Sequence, residues 1–438
     1  MLIALKNKIH PIIKSTFVRN VAVVATGTAG AQAITIAFAP LITRLYGPEA
    51  FGILGTFMAL LNVVIPVAAL SYPIAIVLPK EDSDAKGIAK LSAYIALGIT
   101  GSLSLMLLIG GDWLVELLRV QEISSFIFLI PLAMLFAAFV QVARQWLIRK
   151  KQFGITARVD VFNAFTVNAA KTGFGFFYPV AAVLIIFATI GHAIQAVMLG
   201  AGIKRSNSYK NTNTDEKTTT PKILALAKKH YDFPLYRCPQ IFINAVSLSL
   251  PVLMLSAFFG PASAGFYVIG KRILGLPSSL IGKSVHDVFY PRISEAAHKG
   301  KNLSRLIVKA TLGLVATGIL PFSVVILFGP IIFGFVFGSE WVTAGEYARW
   351  ISLWLFSSFI NRPSVSAIPV LKLQGYFLIY EIVSIALRLG ALLIGFYIFN
   401  DDILAIILFS IAGFIVNIFL ILLTVYRSKS YIKIDRNM

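Results

Sequence analysis

Seven basic residues stand inside stretches of this sequence that are otherwise apolar: Lys171, Lys271, Arg272, Lys283, Arg349, Arg362 and Arg388. A cation at the centre of a lipid-embedded helix costs roughly 2.5–3.5 kcal/mol, so about 20 kcal/mol would be lost if all seven met hydrocarbon. Such side chains must mostly face an interior, and what a set of them offers there is the binding of an anion. The same stretches hold four acids, Asp160, Asp287, Glu346 and Glu381, and the imidazole of His286. Seven bases against four acids leave the set cationic. Asp160, His286, Asp287 and Glu381 are candidates for ion coupling, because protonating any of them changes the net charge that an anionic ligand meets.

Helical spacing gathers these residues onto faces. Arg272, Ser279, Lys283 and His286 fall within a narrow arc of one helix, beside a kink expected at Pro277. Asp160, Asn163 and Lys171 share a second face, and Glu381, Ser384 and Arg388 a third. A structural alternative runs alongside. Lys283 and Asp287 are four apart, Glu346 and Arg349 three apart, and such pairs can fasten helices together. Glu381 and Arg388 can form a lasting pair, and Lys271 and Arg349 can extend to the membrane surface. Asn163, Asn168, Asn244, Asn361 and Asn417 can hydrogen-bond a polar ligand, but bonding neighbouring helices is their commoner use.

The elements that carry these residues follow from composition. Of 438 residues, 58% are hydrophobic and only 13% charged, and the mean hydropathy is +0.83, which makes this a membrane protein. Twelve apolar runs reach the roughly 20 residues that one helical crossing needs. They cover about 20–43, 51–78, 88–110, 124–142, 159–178, 180–202, 238–259, 264–290, 305–335, 344–370, 376–399 and 402–426. Pro321 and Pro330 predict a bend or tilt in the ninth. The first run continues far past its small residues Ala29, Ala31 and Ala33, so it reads as an uncleaved helix rather than a signal peptide. No segment shows the alternation of a membrane β-barrel.

Lysine and arginine placement sets orientation. Thirty of these residues precede the first run, follow the even-numbered runs or lie in the tail, against Arg44 and Arg119 on the other side. Both termini are therefore expected in the cytoplasm. The formal charge of +20 is spread over loops that meet anionic lipid, not gathered into a patch for nucleic acid.

A phrase repeats. Gly47, Pro48 and Gly52 in LITRLYGPEAFG align with Gly260, Pro261 and Gly265 in FFGPASAG, and Tyr72-Pro73 is echoed by Tyr290-Pro291. Six runs separate the copies, so the expected fold is all-α, with two parallel six-helix halves at 1–202 and 238–438 and a cytoplasmic linker at 203–237.

The stretch RNVAVVATGTAGAQAI followed by TRLYGPEAFG resembles the polysaccharide-biosynthesis flippases, the Wzx-type exporters of lipid-linked oligosaccharide. Their superfamily also holds the MATE multidrug exporters and the lipid II flippase. The resemblance implies a bacterial inner-membrane exporter and no cofactor. It implies as substrate a polyprenyl-diphosphate-linked glycan, such as an O-antigen, capsule or exopolysaccharide repeat unit, whose diphosphate would meet the basic set. Polysaccharide polymerase and chain-length proteins are the implied partners.

Other readings are weaker. IGKS at 281–284 ends like a phosphate-binding loop, but Pro277 stands where that loop needs glycine, and no strand precedes it. Cys238 is the one cysteine and can form no internal disulfide. A membrane glycosyltransferase or polymerase would be expected to carry a sizeable external loop, which is missing between these runs. A MATE-like drug or cation antiporter is the nearer alternative, but cationic substrates call for a cavity richer in carboxylates.

Overall fold

The computed structural model describes residues 16–208 and 223–434, except the side chains of 16–22, 207–208, 276–284, 286, 287, 298 and 430–434. Among the described residues there are helices and turns and no strand. The long helices are α1 (Thr16–Val64), α2 (Asp82–Leu118), α3 (Leu129–Arg149), α4 (Phe153–Gly175), α5 (Ala181–Ser208) and α6 (Cys238–Phe259), then α7 (Pro261–His298), α8 (Leu303–Phe337), α9 (Val342–Ile360), α10 (Gln374–Ile394) and α11 (Asp402–Ile434). Their outward faces are apolar, with Ile109 at 88% and Phe335 at 80% exposure. Such surfaces belong in hydrocarbon, not water.

Among the described residues eight continuous helical stretches are long and apolar enough to cross a membrane, fewer than the twelve expected runs. Two causes account for the difference. The first two runs are two helices that meet at the non-helical Gly47, and the continuous stretch α1 that holds both counts once. The other three shortfalls are α4, α7 and α9, which carry Asp160 and Lys171, Lys271 and Arg272, and Glu346 and Arg349. Three helices that bear members of the charged set are thus ones that apolarity alone does not identify, whereas α10, with Glu381 and Arg388, is identified by it.

The chain divides into two compact units. Unit 1 holds the residues up to Tyr46 and Ile53–Ser249; unit 2 holds Gly47–Gly52 and everything from Leu250. Unit 1 packs around Phe57, Leu61, Ile123, Met134 and Ile185. At one end of it Tyr72, Ile76, Ile88 and Trp146 cluster with Leu226 of the short helix Ile223–Lys229, and the Tyr72 hydroxyl donates to the Ala227 carbonyl at 3.2 Å. The middle of the expected linker, 209–222, lies outside the described residues. Unit 2 packs around Ile293, Leu303, Ile307, Ala367 and Leu420, with a second cluster of Leu314, Phe322, Phe359 and Ile360.

The repeated phrase is a repeated backbone. Gly47 has φ 67° and ψ 172°, and Gly260 has φ 87° and ψ 170°, a region essentially restricted to glycine. A proline follows each, pre-set for the first turn of the next helix. The second glycines serve a reciprocal approach inside unit 2. A Cβ on Gly52 would overlap the Pro261 carbonyl, and one on Gly265 would overlap the Pro48 carbonyl. Each copy of the turn therefore seats its glycine on the proline of the other copy.

Candidate functional site

In unit 1 the charged set centres on α4. Asp160 accepts from both terminal nitrogens of Arg144 on α3, at 2.5 and 3.3 Å, and from Nε2 of Gln195 on α5 at 2.9 Å. A two-pronged arginine contact of this kind is the strong form of an ion pair. Arg144 thus lies within α3 and joins three helices, where the sequence suggested a loop charge. Three turns further along α4, Lys171 is half-buried, and the hydroxyl of the buried Tyr46 donates to its backbone carbonyl at 2.6 Å. Tyr46 fits there because Gly175 has no side chain; a Cβ would meet the tyrosine ring at 2.6 Å. Asn168 bonds the Ala164 carbonyl at 2.7 Å and Thr35 Oγ1 at 3.4 Å. The buried Oδ1 of Asn163 has no hydrogen-bond partner.

In unit 2 the basic residues divide by circumstance. On α7, Lys271 lies over the ring of Tyr267 at 5.4 Å. Arg272 beside it is exposed, and no hydrogen bond or ion pair engages it among the described residues. The side chains of Lys283, His286 and Asp287, and with them the expected arc and the Lys283–Asp287 pair, lie outside the described residues.

Arg349 on α9 is occupied. Its Nη1 pairs with Glu346 Oε2 at 3.0 Å, and its Nε donates to the Ile326 carbonyl of α8 at 2.8 Å. Ile326 stands four residues before Pro330, which has no N–H to return the usual helical bond. The arginine therefore satisfies an acceptor that the proline frees. Here α8 and α9 also come close, with Gly329 against the Gly345 carbonyl.

Arg362 opens the short helix Arg362–Ala367 after α9; it is half-buried, and its buried Nε has no partner. Arg388 on α10 donates from Nε to the Ser384 carbonyl at 3.1 Å, and its guanidinium lies 5.2 Å from the ring of Trp354 and 5.8 Å from that of Phe409. Cation–π contact thus takes the place that spacing assigned to Glu381. Glu381 is exposed and makes no ion pair among the described residues. Nearby, Asn417 accepts from Tyr380 at 2.7 Å and from Asn361 at 3.1 Å, and donates to Ser357 at 3.0 Å. These two asparagines join α9, α10 and α11. Asn244 on α6 is exposed.

Sequence reasoning passed over Arg144, Gln195, Tyr46, Trp354 and Phe409. Of these only Tyr46 carried a signal, since it lies inside the phrase that repeats. Among the described residues no group of His, Cys, Asp and Glu is placed to hold a metal ion.

Comparison with known proteins agrees with this architecture. Residues 17–297 match the family described as Polysaccharide biosynthesis protein. The succinoglycan biosynthesis transport protein ExoT of Rhizobium meliloti (strain 1021) is 21% identical over 371 residues, spanning 80% of this chain and 67% of that protein. An inward-facing multidrug resistance MATE family transporter of the MOP superfamily superposes with a TM-score of 0.71 at 12% identity, covering 92% of this chain and 96% of that one. The lipid II flippase MurJ in an inward closed conformation gives 0.69 at 16% identity, covering 92% and 87%. Such low identities speak for the fold alone. With nearly two thirds of its length matched, the chain belongs to the polysaccharide biosynthesis protein family, and among its described residues it is an all-helical, multi-pass membrane protein.

Proposed function

We propose that this protein moves a polyprenyl-diphosphate-linked oligosaccharide across a bacterial inner membrane, with both termini in the cytoplasm, by alternating access between two six-helix halves. Arg272 carries the reading. It is an exposed arginine eleven residues beyond the start of a 38-residue helix, with no counter-charge among the described residues. A cation so placed is affordable only against water, and water lined by cations suits an anionic head group. Two of the four intramembrane acids are engaged elsewhere, Asp160 by Arg144 and Glu346 by Arg349. Lys171, Arg362 and Arg388, with Lys271 and Lys283, supply further positive charge for the diphosphate. Arg349 serves mainly to hold α9 on α8. The family and the succinoglycan transport relative support a glycan cargo.

Proton coupling through Asp160, His286, Asp287 or Glu381 belongs to the same proposal, and exposed Glu381 is the most accessible of those described. The test is export in cells that lack the native gene. The Lys171→Ala, Arg272→Ala double variant should reach the membrane at normal levels and lose export, while Arg272→Lys keeps part of it, since charge matters more than fork geometry at a wet site. Normal export by the double variant would defeat the proposal.

A further inference from the structure

Unit 1 carries a groove of about 730 Å³ that lies apart from the charged set. It runs between α1 and α4. Gly27 and Ala157 touch at its floor, where a Cβ on Gly27 would overlap Ala157. Val23, Ile34, Val161, Phe162 and Phe165 form its walls, and Phe38 meets Phe165 edge-on at 6.0 Å at the far end. From Gly154 to Phe165 the lining follows roughly 16 Å of α4. Thr26, which also borders it, donates to the Val23 carbonyl of its own helix at 3.2 Å. Arg158 is the one charged residue among those that line the groove; it is exposed and makes no ion pair among the described residues. It stands near the start of α4, the end that the charge distribution assigns to the cytoplasm.

We propose that this groove is a loading site for the isoprenoid tail of the lipid-linked substrate, with Arg158 meeting the diphosphate at its cytoplasmic mouth. The inference rests on the function proposed above. A polyprenyl tail cannot follow its head group through a wet lumen, because each exposed methylene costs about 0.8 kcal/mol. It needs an apolar track open to the bilayer beside the route of the head. An apolar groove with a cation at one end matches an amphiphile with an apolar tail and an anionic head. The first fifteen residues of the chain contain Lys6, Lys8 and Lys14 and no acid, so they offer Arg158 no counter-charge.

Gly154 supplies a clean probe, because nothing lies within 4 Å of the position its Cβ would take. Gly154→Phe should therefore fold and fill the groove. The experiment is photolabelling of the full chain in liposomes with a diazirine-bearing polyprenyl diphosphate, mapped by mass spectrometry, with melting temperature as the check on folding. Wild type should label within 154–165. Gly154→Phe should reduce that labelling at least about fivefold, and Arg158→Gln about fivefold for the diphosphate but not for an uncharged polyprenol probe, as expected for one basic contact at the membrane surface. Equal labelling of 154–165 by a diazirine phosphatidylglycerol would overturn the proposal in favour of ordinary boundary lipid, as would undiminished labelling of folded Gly154→Phe. Labelling requires no translocation. Labelling without export would therefore leave the groove standing and sink the transport reading, whereas export without labelling would do the reverse.

Discussion

Arg349 and Arg272 are arginines in membrane helices of the same unit, yet they live differently. Arg349 is tied to Glu346 and to the carbonyl that Pro330 frees, whereas Arg272 is exposed with no partner among the described residues. An intramembrane cation is therefore not a site by virtue of its charge. What separates the two is whether the fold supplies an acceptor. Arg144 sides with Arg349, being engaged by Asp160, and Arg388 lies between the extremes, held on aromatic faces that leave much of its donor capacity unused.

The sharpest way to break this comparison is to truncate both arginines. Arg349→Ala strands the Glu346 carboxylate and the Ile326 carbonyl and should cost about 1–3 kcal/mol, seen as a lower melting temperature in detergent. Arg272→Ala should change stability by no more than about 0.5 kcal/mol while removing export. Equal destabilisation by the two would erase the distinction. A smaller effect tests the proline's part. In Pro330→Ala the helical N–H returns to satisfy Ile326, so Arg349→Ala on that background should cost about 1 kcal/mol less than on wild type, measured as a double-mutant cycle. Additive costs would mean that the arginine does not answer the proline. The smallest effect belongs to Glu381→Gln. As an exposed acid without an ion pair, it should leave melting within about 0.5 kcal/mol. A larger loss would restore the Glu381–Arg388 pair that spacing suggested.

These contrasts also mark how far the sequence could be read. Glu346 and Arg349 were legible because a pair three residues apart on one helix is fixed by the helical repeat. Arg144 and Asp160 were not, since they belong to different helices and Arg144 stands close to a basic run that reads as membrane-flanking. The surroundings of Arg388 were not legible, since Trp354 and Phe409 come from two other helices and no local spacing announces them. The membrane class followed from composition, and the Gly-Pro phrase from its repetition. The span count was harder, because the charges that make α4, α7 and α9 interesting are the same ones that lower their apolarity. The groove beside Arg158 was invisible, since small residues on two helices make a floor only once those helices have packed.

The reciprocal seating of Gly52 and Gly265 bears on how the chain is made. The first turn leaves the ribosome more than two hundred residues before the second, which at about 5–20 residues per second is roughly 10–40 s. For that interval Gly52 faces no Pro261, and the bend at Gly47 must hold by its own backbone preference. The first hairpin is thus inserted as a provisional structure. The nascent protein closes it only when its own second copy of the phrase arrives.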